Sequence, residues 1–411
     1  MVKLVKDKNL GWDLRSTEGW QQLAGIWRKT YRDSIENLTL KINIMLNFPS
    51  ITIAIPTYNE ADYIEEIVRA FLQTNYPNLI EVVVADGAST DGTQEIVLRL
   101  AIEDPRVKLL HNPQKIQSAA LNLILENCSG DIFLRADAHS DYASDYIDKC
   151  VEALLESQSL NVGGAQRFVA KSAFQAGMAL ASRSILGNGG AKYRDPHYDG
   201  YGDTVYLGCF WTKNLRQLGG YCIEATPNED AALNLSLIET FDRAQLRNQD
   251  YKLNNTLTNI QPQAIYISSK IKVWYFPRNT WKSVCVQYFK YGKAKYLTTV
   301  KYKNQTQLRG KLPSIIISAM IALLSIDLLF PDLGLHFKEI FIVSLTVPFL
   351  ESLRITTKFS QNFDSEFWRG NKQQIPSVLS RWFFCGVSLL TMPISHFSGY
   401  TFQLFRACLK A

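Results

Sequence analysis

Between about residue 50 and residue 155, short apolar runs alternate with amphipathic stretches. Strand-like apolar runs occur at 51–55, 82–85, 107–111 and 132–134, and helical patterns occur at 63–72, from 93, at 119–126 and at 146–155. Strands that alternate with helices in units of about thirty residues are typical of a parallel sheet with helices on both faces. The pattern therefore predicts an α/β fold for this part of the chain.

Polar clusters follow three of these apolar runs. Pro56-Thr57-Tyr58-Asn59-Glu60 ends the first run, Asp86 ends the second, and Asp137 follows the fourth. In open α/β sheets, ligands bind at the carboxyl ends of the strands. Although they are far apart in sequence, the three clusters are therefore predicted to meet at one edge of the sheet.

The character of the chain changes from about residue 274. Residues 281–296 are rich in aromatics and Lys and indicate an amphipathic helix at a membrane surface, and 312–330 is apolar and long enough to span a bilayer, which takes about 20 residues. Shorter or interrupted apolar runs follow at 340–350 and 382–405. The basic segment 301–311 is expected on the cytoplasmic side. We predict an integral protein of the inner or plasma membrane with a cytoplasmic α/β domain.

These patterns divide the chain into four parts. They are an N-terminal extension (1–48), an α/β domain (49–275), an amphipathic interfacial segment (276–311) and a membrane region with two or three hydrophobic helices (312–411). The net charge of +6 is mild and lies largely near the apolar third, which indicates juxtamembrane Lys and Arg rather than nucleic-acid binding. The seven Cys form no C-x-x-C pair, which argues against a zinc site and fits a reducing compartment.

Two acidic clusters carry the candidate chemistry. Asp137-Ala138-His139 places a carboxylate and an imidazole two residues apart, and such a pair can hold a divalent cation against a phosphate. The second cluster, Asn228-Glu229-Asp230, offers a separate carboxylate that could act as a general base. A cation-held diphosphate and a separate base are what sugar transfer from a nucleotide donor requires.

Each cluster taken alone also has a purely structural explanation. The segment at 56–60 could be a capped turn, and Asp86 with Asp91 could cap a helix. Asp137 and His139 could lie in a solvated loop, and Glu229-Asp230 could be the acidic first turn of a helix. It is the order and the strand-end placement of the clusters together that favour a functional site.

As a set, these motifs resemble the inverting family-2 glycosyltransferases, whose catalytic domain has the GT-A fold. The matching segments are P-x-Y-N-E at 56–60, D-G-x-S-x-D-G-T at 86–93, the metal motif at 137–139 and the late E-D pair at 229–230. The segments at 189–191, 203–208 and 218–221 look like the acceptor side of succinoglycan-type exopolysaccharide transferases. The resemblance covers roughly 50–295.

The resemblance implies a role for each matching residue. Thr57, Glu60 and Asp86 would contact the donor, together with Asp137. Asp137 and His139 would bind a divalent cation, Mn²⁺ or Mg²⁺. Asp230 would be the catalytic base, with Glu229 beside it.

The sequence departs from the family pattern at three places. The second metal ligand is the imidazole of His139, which leans toward the softer ion. Residues 239–263 are longer and more polar than is usual and suggest a surface insertion. Gln287 and Tyr291 fall where processive synthases carry Q-x-x-R-W, so they are candidates for the acceptor side, although an interfacial helix with aromatic anchors explains them as well.

The function expected from the sequence is inverting transfer of a sugar from a nucleotide donor, expected to be UDP-linked. The acceptor would be a lipid-linked or growing glycan at the cytosolic membrane face. The alternatives are a processive polysaccharide synthase and a non-catalytic nucleotide-sugar-binding subunit of an envelope assembly complex. Binding alone needs no base, so the Asp230 cluster favours the enzyme.

Overall fold

The computed structural model describes residues 48–225, 228–247, 263–301, 311–330 and 336–409. Three sequence predictions lie wholly or largely outside these residues. They are the N-terminal extension up to residue 47, residues 248–262 of the suggested insertion, and most of the basic segment before residue 311.

One mixed sheet forms the centre of the α/β part. In the part of the chain that is described, its strands are β1 (Ile51–Thr57), β2 (Leu79–Asp86), β3 (Val107–His111), β4 (Ile132–Arg135), β5 (Ser140–Tyr142), β6 (Asn161–Phe168), β7 (Gly200–Tyr201), β8 (Tyr206–Trp211) and β9 (Ile265–Tyr275). Their order is β3-β2-β1-β4-β8-β6-β9-β5, and β7 pairs with β9. Strands β1 to β4 are parallel, whereas β8 runs antiparallel between β4 and β6. The predicted α/β fold, with parallel strands β1 to β4, is confirmed.

Eight helices connect or flank these strands within the described residues. They are α1 (Ile64–Leu72), α2 (Thr93–Glu103), α3 (Gln117–Asn127), α4 (Tyr146–Ser157), α5 (Ala173–Ala181), α6 (Ile185–Asn188), α7 (Thr212–Gln217) and α8 (Glu229–Arg247). Short 3₁₀ turns occur at Lys192–Arg194 and Ile223–Ala225. The four helices predicted from the sequence correspond to α1 to α4.

The two faces of the sheet bury separate apolar layers. Ile53 of β1 belongs to a core with Ile64 of α1 and Leu154 of α4. The next residue along β1, Ala54, points to the other face, into a core with Leu121 of α3. Alternate residues of a strand point to opposite faces, so apolar residues at both positions bury the strand on both sides. This burial fixes where the strands end and hence where the polar segments begin.

The C-terminal part is helical. Its helices are α9 (Trp281–Lys301), α10 (Leu312–Leu329), α11 (Phe337–Ser344), α12 (Val347–Lys358), α13 (Phe363–Glu366) and α14 (Val378–Cys408), with a 3₁₀ turn at Lys372–Gln374. Three segments are long and apolar enough to cross a membrane, namely Leu312–Leu329, Phe337–Lys358 and Val378–Cys408. The expectation of two or three hydrophobic helices after the α/β domain is therefore met within the described residues.

These helices also share a core with the sheet. Phe168 at the end of β6 and Tyr275 at the end of β9 belong to one buried cluster with Phe367, Trp368 and Cys385 from the C-terminal part. The Trp281 indole N–H also donates to the Thr391 hydroxyl (2.9 Å). The C-terminal segment is thus packed against the α/β part rather than attached by a single linker.

Candidate active site

The three polar segments expected at one sheet edge lie there together. Thr57 at the end of β1 is paired in register with Asp86 at the end of β2. On the other side of β1, β4 runs parallel and ends at Arg135. Parallel strands that end at the same level bring their following loops together, and this edge is where α/β sheets bind ligands.

Asp86 joins the loops that follow β1 and β2. Its carboxylate accepts hydrogen bonds from the Ser89 backbone N–H (2.9 Å), the Gln94 side chain (2.6 Å) and the Thr57 hydroxyl (3.3 Å). Asp86 is 1% exposed and Thr57 is 6% exposed. Thr57 and Asp86, the two residues predicted to contact the sugar donor, are therefore buried in the wall of the candidate site.

Asp91 has a different role within the same motif. Its carboxylate accepts from the Thr93 backbone N–H (3.1 Å) and hydroxyl (2.6 Å) at the start of α2, and from the Ala61 N–H (3.0 Å). The hydroxyl of Thr93, followed by these N–H groups, lowers the pKa of Asp91. Asp91 thus holds the turn just before α2, whose N-cap residue is Gly92.

Glu60 and His139 meet across the site. His139 Nδ1 lies 3.2 Å from Glu60 Oε1. Burial lowers the pKa of His139, but the hydrogen bond to Glu60 and the charge of Asp137 outweigh that effect and raise it. Glu60 thus contacts the predicted metal ligand, although the resemblance placed it at the donor.

Arg135 is buried at the centre of the acidic groups. Its Nη1 donates to Asp230 Oδ1, and its Nη2 lies 3.4 Å from Asp137 Oδ1. Only 4% of the Arg135 side chain is exposed. Burial lowers the Arg135 pKa, but the negative charges of Asp230 and Asp137 outweigh it and hold the pKa well above its ordinary value. One guanidinium therefore connects the predicted metal carboxylate with the predicted base.

Gln117 at the start of α3 extends this network to Glu229. With its amide oriented to suit both neighbours, Gln117 accepts from Arg135 Nη2 (2.9 Å) and donates to Glu229 Oε1 (3.1 Å). Glu229 is 3% exposed. Burial, followed by the charge of Asp230, raises the pKa of Glu229 to about 7.

Asp230 is the more accessible of the two neighbouring acids. Its side chain is 41% exposed. Partial burial, followed by the charge of Asp137, raises its pKa against the attraction of Arg135. Its exposure is what distinguishes it from Glu229, because a general base must lie within reach of the acceptor hydroxyl.

The two residues predicted for the acceptor side lie on α9. The Gln287 amide donates to the Tyr291 hydroxyl (3.0 Å) and approaches the Tyr275 hydroxyl (3.4 Å). The Tyr275 ring lies 6.0 Å from the His139 ring, measured between centroids. Tyr275, at the end of β9, thus connects α9 with the predicted metal end of the site.

A carboxylate and an imidazole, the groups that Asp137 and His139 offer, are ligand types that a divalent cation accepts. With Nδ1 of His139 held by Glu60, its Nε2 is the nitrogen left for an ion, and a carboxylate behind a histidine is a common arrangement in metal sites. Among residues 48–225, 228–247, 263–301, 311–330 and 336–409, no group of three His, Cys, Asp or Glu side chains could hold a metal ion. Asp137 and His139 would therefore need oxygens of a bound diphosphate to complete the shell.

Sequence reasoning missed the roles of three residues. Arg135 stands in the acidic cluster, but nothing assigned it a function, although a charged residue ending an apolar strand is an unusual signal. Gln117 and Tyr275 lie at an ordinary helix start and strand end, and no local pattern sets them apart.

The chain is similar to several known proteins. The family model described as Glycosyl transferase family 2 matches residues 52–212. The succinoglycan biosynthesis protein ExoA of Rhizobium meliloti (strain 1021) is 34% identical over 270 residues, which are 65% of this chain and 76% of that protein. A Methanococcus voltae protein is 26% identical over 260 residues, 61% of this chain and 74% of its own length. It is named dolichyl N-acetyl-alpha-D-glucosaminyl phosphate 3-beta-D-2,3-diacetamido-2,3-dideoxy-beta-D-glucuronosyltransferase. Among solved structures, the mannosyltransferase PcManGT from Pyrobaculum calidifontis aligns with a TM-score of 0.42 and 17% identity, over 87% of this chain and 88% of that one.

Proposed function

The chain belongs to glycosyl transferase family 2, and on this premise we propose that it transfers a sugar with inversion from a UDP-linked donor to a lipid-linked or growing glycan. As a glycosyltransferase of this family it uses a nucleotide-sugar donor. The transfer would take place at the cytoplasmic face of the inner or plasma membrane.

The observation that carries this proposal is the shared contact of Arg135. Its guanidinium binds Asp230 and lies 3.4 Å from Asp137. A base and a metal carboxylate must act on the two sides of one sugar carbon, so inverting transfer requires them close together and at a fixed separation. An arginine that contacts both carboxylates supports that geometry.

The donor side would be formed by the loops after β1, β2 and β4. Asp86 and Thr57 would shape the nucleoside end, and Asp137 with His139 would hold a divalent cation at the diphosphate. When bound, the cation would neutralise the charge that develops on the departing nucleoside diphosphate. Glu60 would keep the imidazole of His139 in the orientation that presents Nε2.

The acceptor proton would pass to Asp230. A sugar hydroxyl is a poor nucleophile at neutral pH, so a positioned carboxylate must accept its proton as it attacks. Arg135 would hold this carboxylate in place. Attack from the face opposite the diphosphate inverts the anomeric carbon and needs no covalent sugar–enzyme intermediate.

Two observations support a membrane-bound acceptor. Three segments of the described chain are long and apolar enough to cross a membrane, and α14 packs beside α9, which carries Gln287 and Tyr291. The name of the Methanococcus voltae relative describes a dolichyl phosphate sugar as acceptor, and that of the Rhizobium meliloti relative describes succinoglycan biosynthesis.

A screen of donors tests the proposal. The full chain, purified in detergent, is mixed with UDP-, GDP- and dTDP-linked sugars and Mn²⁺ or Mg²⁺, and release of the nucleotide is measured. We expect hydrolysis of one UDP-sugar that stops on addition of chelator. With membrane extract as the acceptor source, single addition supports the proposal, long polymer supports a processive synthase, and no turnover of any donor contradicts an enzyme.

A further inference from the structure

A second cationic feature lies between the active-site edge and the C-terminal helices. Arg194 ends the 3₁₀ turn Lys192–Arg194, and its guanidinium carbon lies 4.5 Å from the centre of the Phe168 ring and 5.0 Å from that of Tyr193. Tyr288 of α9 packs against the buried cluster that contains Phe168, and its ring centre lies 5.6 Å from that of Tyr291. We call these four aromatic residues, Phe168, Tyr193, Tyr288 and Tyr291, the Arg194 cage.

The caged guanidinium makes no ion pair with a carboxylate of the described residues. Two other partly buried arginines differ in this respect. Arg183 pairs with Glu366, and Arg167 donates to backbone carbonyls such as those of Ile271 and Ser269. Aromatic faces offset part of the cost of enclosing a cation, and beyond the hydrogen bond to Tyr193 they leave its planar N–H donors available. An enclosed guanidinium of this kind suits a phosphate, which it can bind through two parallel hydrogen bonds.

The position of the cage indicates which phosphate. The rings of His139 and Tyr275 are 6.0 Å apart, those of Tyr275 and Phe168 are 5.0 Å apart, and Arg194 lies over Phe168. Three successive contacts thus lead from the predicted metal end of the site to Arg194. A phosphate bound at Arg194 would therefore belong to the acceptor rather than to the donor diphosphate.

The cage also faces the part of the molecule that meets the membrane. Tyr288 and Tyr291 belong to α9, the predicted interfacial helix, and α9 packs along α14, one of the candidate spans. A phosphate attached to a lipid lies at the level of the headgroups, and its sugar extends into the water beyond. Such a ligand could place its lipid along the apolar helices, its phosphate at Arg194 and its sugar toward the active site.

We propose that Arg194 and its aromatic cage bind the phosphate group of the lipid-linked acceptor. This inference rests on the proposed function, because it assigns the acceptor a lipid phosphate rather than a free glycan end.

The test uses the full chain in detergent and farnesyl diphosphate as the probe, with binding followed by intrinsic fluorescence. We expect Arg194→Gln to weaken farnesyl diphosphate binding by about tenfold or more, since a charge-assisted bidentate contact is lost. The affinity of Arg194→Lys for farnesyl diphosphate should lie between those of the wild type and Arg194→Gln, because lysine keeps the charge but lacks the planar guanidinium. Lys192→Gln is the matched control. It removes an exposed cation two residues away that bonds to the Tyr201 carbonyl (3.1 Å), and it should bind the probe like the wild type.

Two further measurements separate the possible failures. Binding of UDP with Mn²⁺ should be equal in the wild type and Arg194→Gln, which shows that the variant is folded. If the wild type binds farnesyl diphosphate but no nucleotide, the proposed function is contradicted and the phosphate site is not. Phosphatidylglycerol micelles form the last arm, in which Arg194→Gln should bind like the wild type. If Arg194→Gln loses affinity for phosphatidylglycerol as much as for farnesyl diphosphate, Arg194 makes a general headgroup contact and the acceptor assignment is overturned. Equal affinity of Arg194→Gln and the wild type for farnesyl diphosphate would also overturn it.

Discussion

Arg135 donates a hydrogen bond to the carboxylate of Asp230, which lies 95 residues further along the chain. The same guanidinium lies 3.4 Å from Asp137, and only 4% of its side chain is exposed. The two carboxylates therefore approach each other around a buried positive charge, which offsets their mutual repulsion. Any change at Arg135 should affect both ends of the site at once.

Replacing Arg135 by Met tests this arrangement. The substitution keeps an unbranched side chain but leaves Asp137 and Asp230 without their shared cation. Removal of one partner from a buried ion pair typically costs 3–5 kcal/mol, so we expect a loss of about that size in the free energy of unfolding and little residual transfer. Thermal unfolding and donor turnover measure the two effects.

Arg69→Gln is the control for Arg135→Met. Arg69 pairs with Glu65 and Glu103 on the surface, where each side chain is about 40% exposed, and such pairs contribute roughly 0–1 kcal/mol. The stability and turnover of Arg69→Gln should stay near those of the wild type. Wild-type stability together with full activity in Arg135→Met would show that the guanidinium is not needed to hold the two carboxylates.

Much of the sheet edge could be predicted from the sequence because it depends on local patterns. The run Ile51-Thr52-Ile53-Ala54-Ile55 is apolar enough to be buried on both faces, and the change to polar residues after Thr57 marks the strand end. Parallel pairing then places the ends of β1, β2 and β4 at one edge. No contact needed to be known for this inference.

The remaining features depend on pairing that no local pattern encodes. Strand β8 enters antiparallel between β4 and β6, although Tyr206–Trp211 carries no signal for its neighbours. The bond from Arg135 to Asp230 requires α8 to begin opposite the end of β4, and the contact of Tyr275 with His139 requires β9 to end beside the active site. The packing of Phe367 against the sheet could not be predicted from the sequence for the same reason.

The metal site gives the second prediction. Asp137→Ala should abolish both transfer and Mn²⁺ binding in the presence of UDP, because it removes the carboxylate ligand. His139→Ala should weaken Mn²⁺ binding, and Glu60→Gln should weaken it less, because Glu60 acts by orienting the imidazole. Electron paramagnetic resonance of Mn²⁺ measures binding without turnover.

His197→Ala, which removes an exposed imidazole elsewhere, is the control for these variants. Chelator should also silence the wild type, and added Mn²⁺ or Mg²⁺ should restore it. Full activity in excess chelator, or unchanged Mn²⁺ binding by Asp137→Ala, would rule out the metal role of both residues.

The raised pKa of Glu229 gives a prediction for stability. In the unfolded chain this carboxyl loses its proton near its ordinary pKa of 4.5, whereas in the folded chain it keeps the proton up to about 7. Between these values the folded chain binds more protons, so the contribution of Glu229 to stability falls as the pH rises. Glu229→Gln stays neutral and can still accept from Gln117. Its melting temperature relative to the wild type should therefore rise between pH 5 and pH 8, by the equivalent of a few kcal/mol. The same difference in melting temperature at both pH values would contradict a buried Glu229 carboxyl with a raised pKa.

The shared core of the sheet and the C-terminal helices gives the fourth prediction. Phe367 is fully buried in one cluster with Phe168 and Tyr275. Phe367→Ala in the full chain should lower the free energy of unfolding by about 3–5 kcal/mol and reduce the temperature up to which UDP with Mn²⁺ is bound. Ile102→Ala, which shortens an 87% exposed side chain on α2, should change neither. If the two variants melt alike, the helices do not support the α/β part.

The most direct test of the central claim, that Asp230 is the base of a sugar transfer, compares Asp230→Asn with Glu229→Gln in kcat and in donor affinity. Asp230→Asn keeps the size of the side chain and removes the proton acceptor, so kcat should fall by about 10² to 10⁴. The dissociation constant of the donor should stay within a few-fold of the wild type, because the lost interaction acts in the transition state. Glu229→Gln should lose less, since Glu229 is buried behind its neighbour. Near-normal turnover in Asp230→Asn with an inactive Glu229→Gln would assign the base to the other carboxylate, and normal turnover in both would contradict the mechanism.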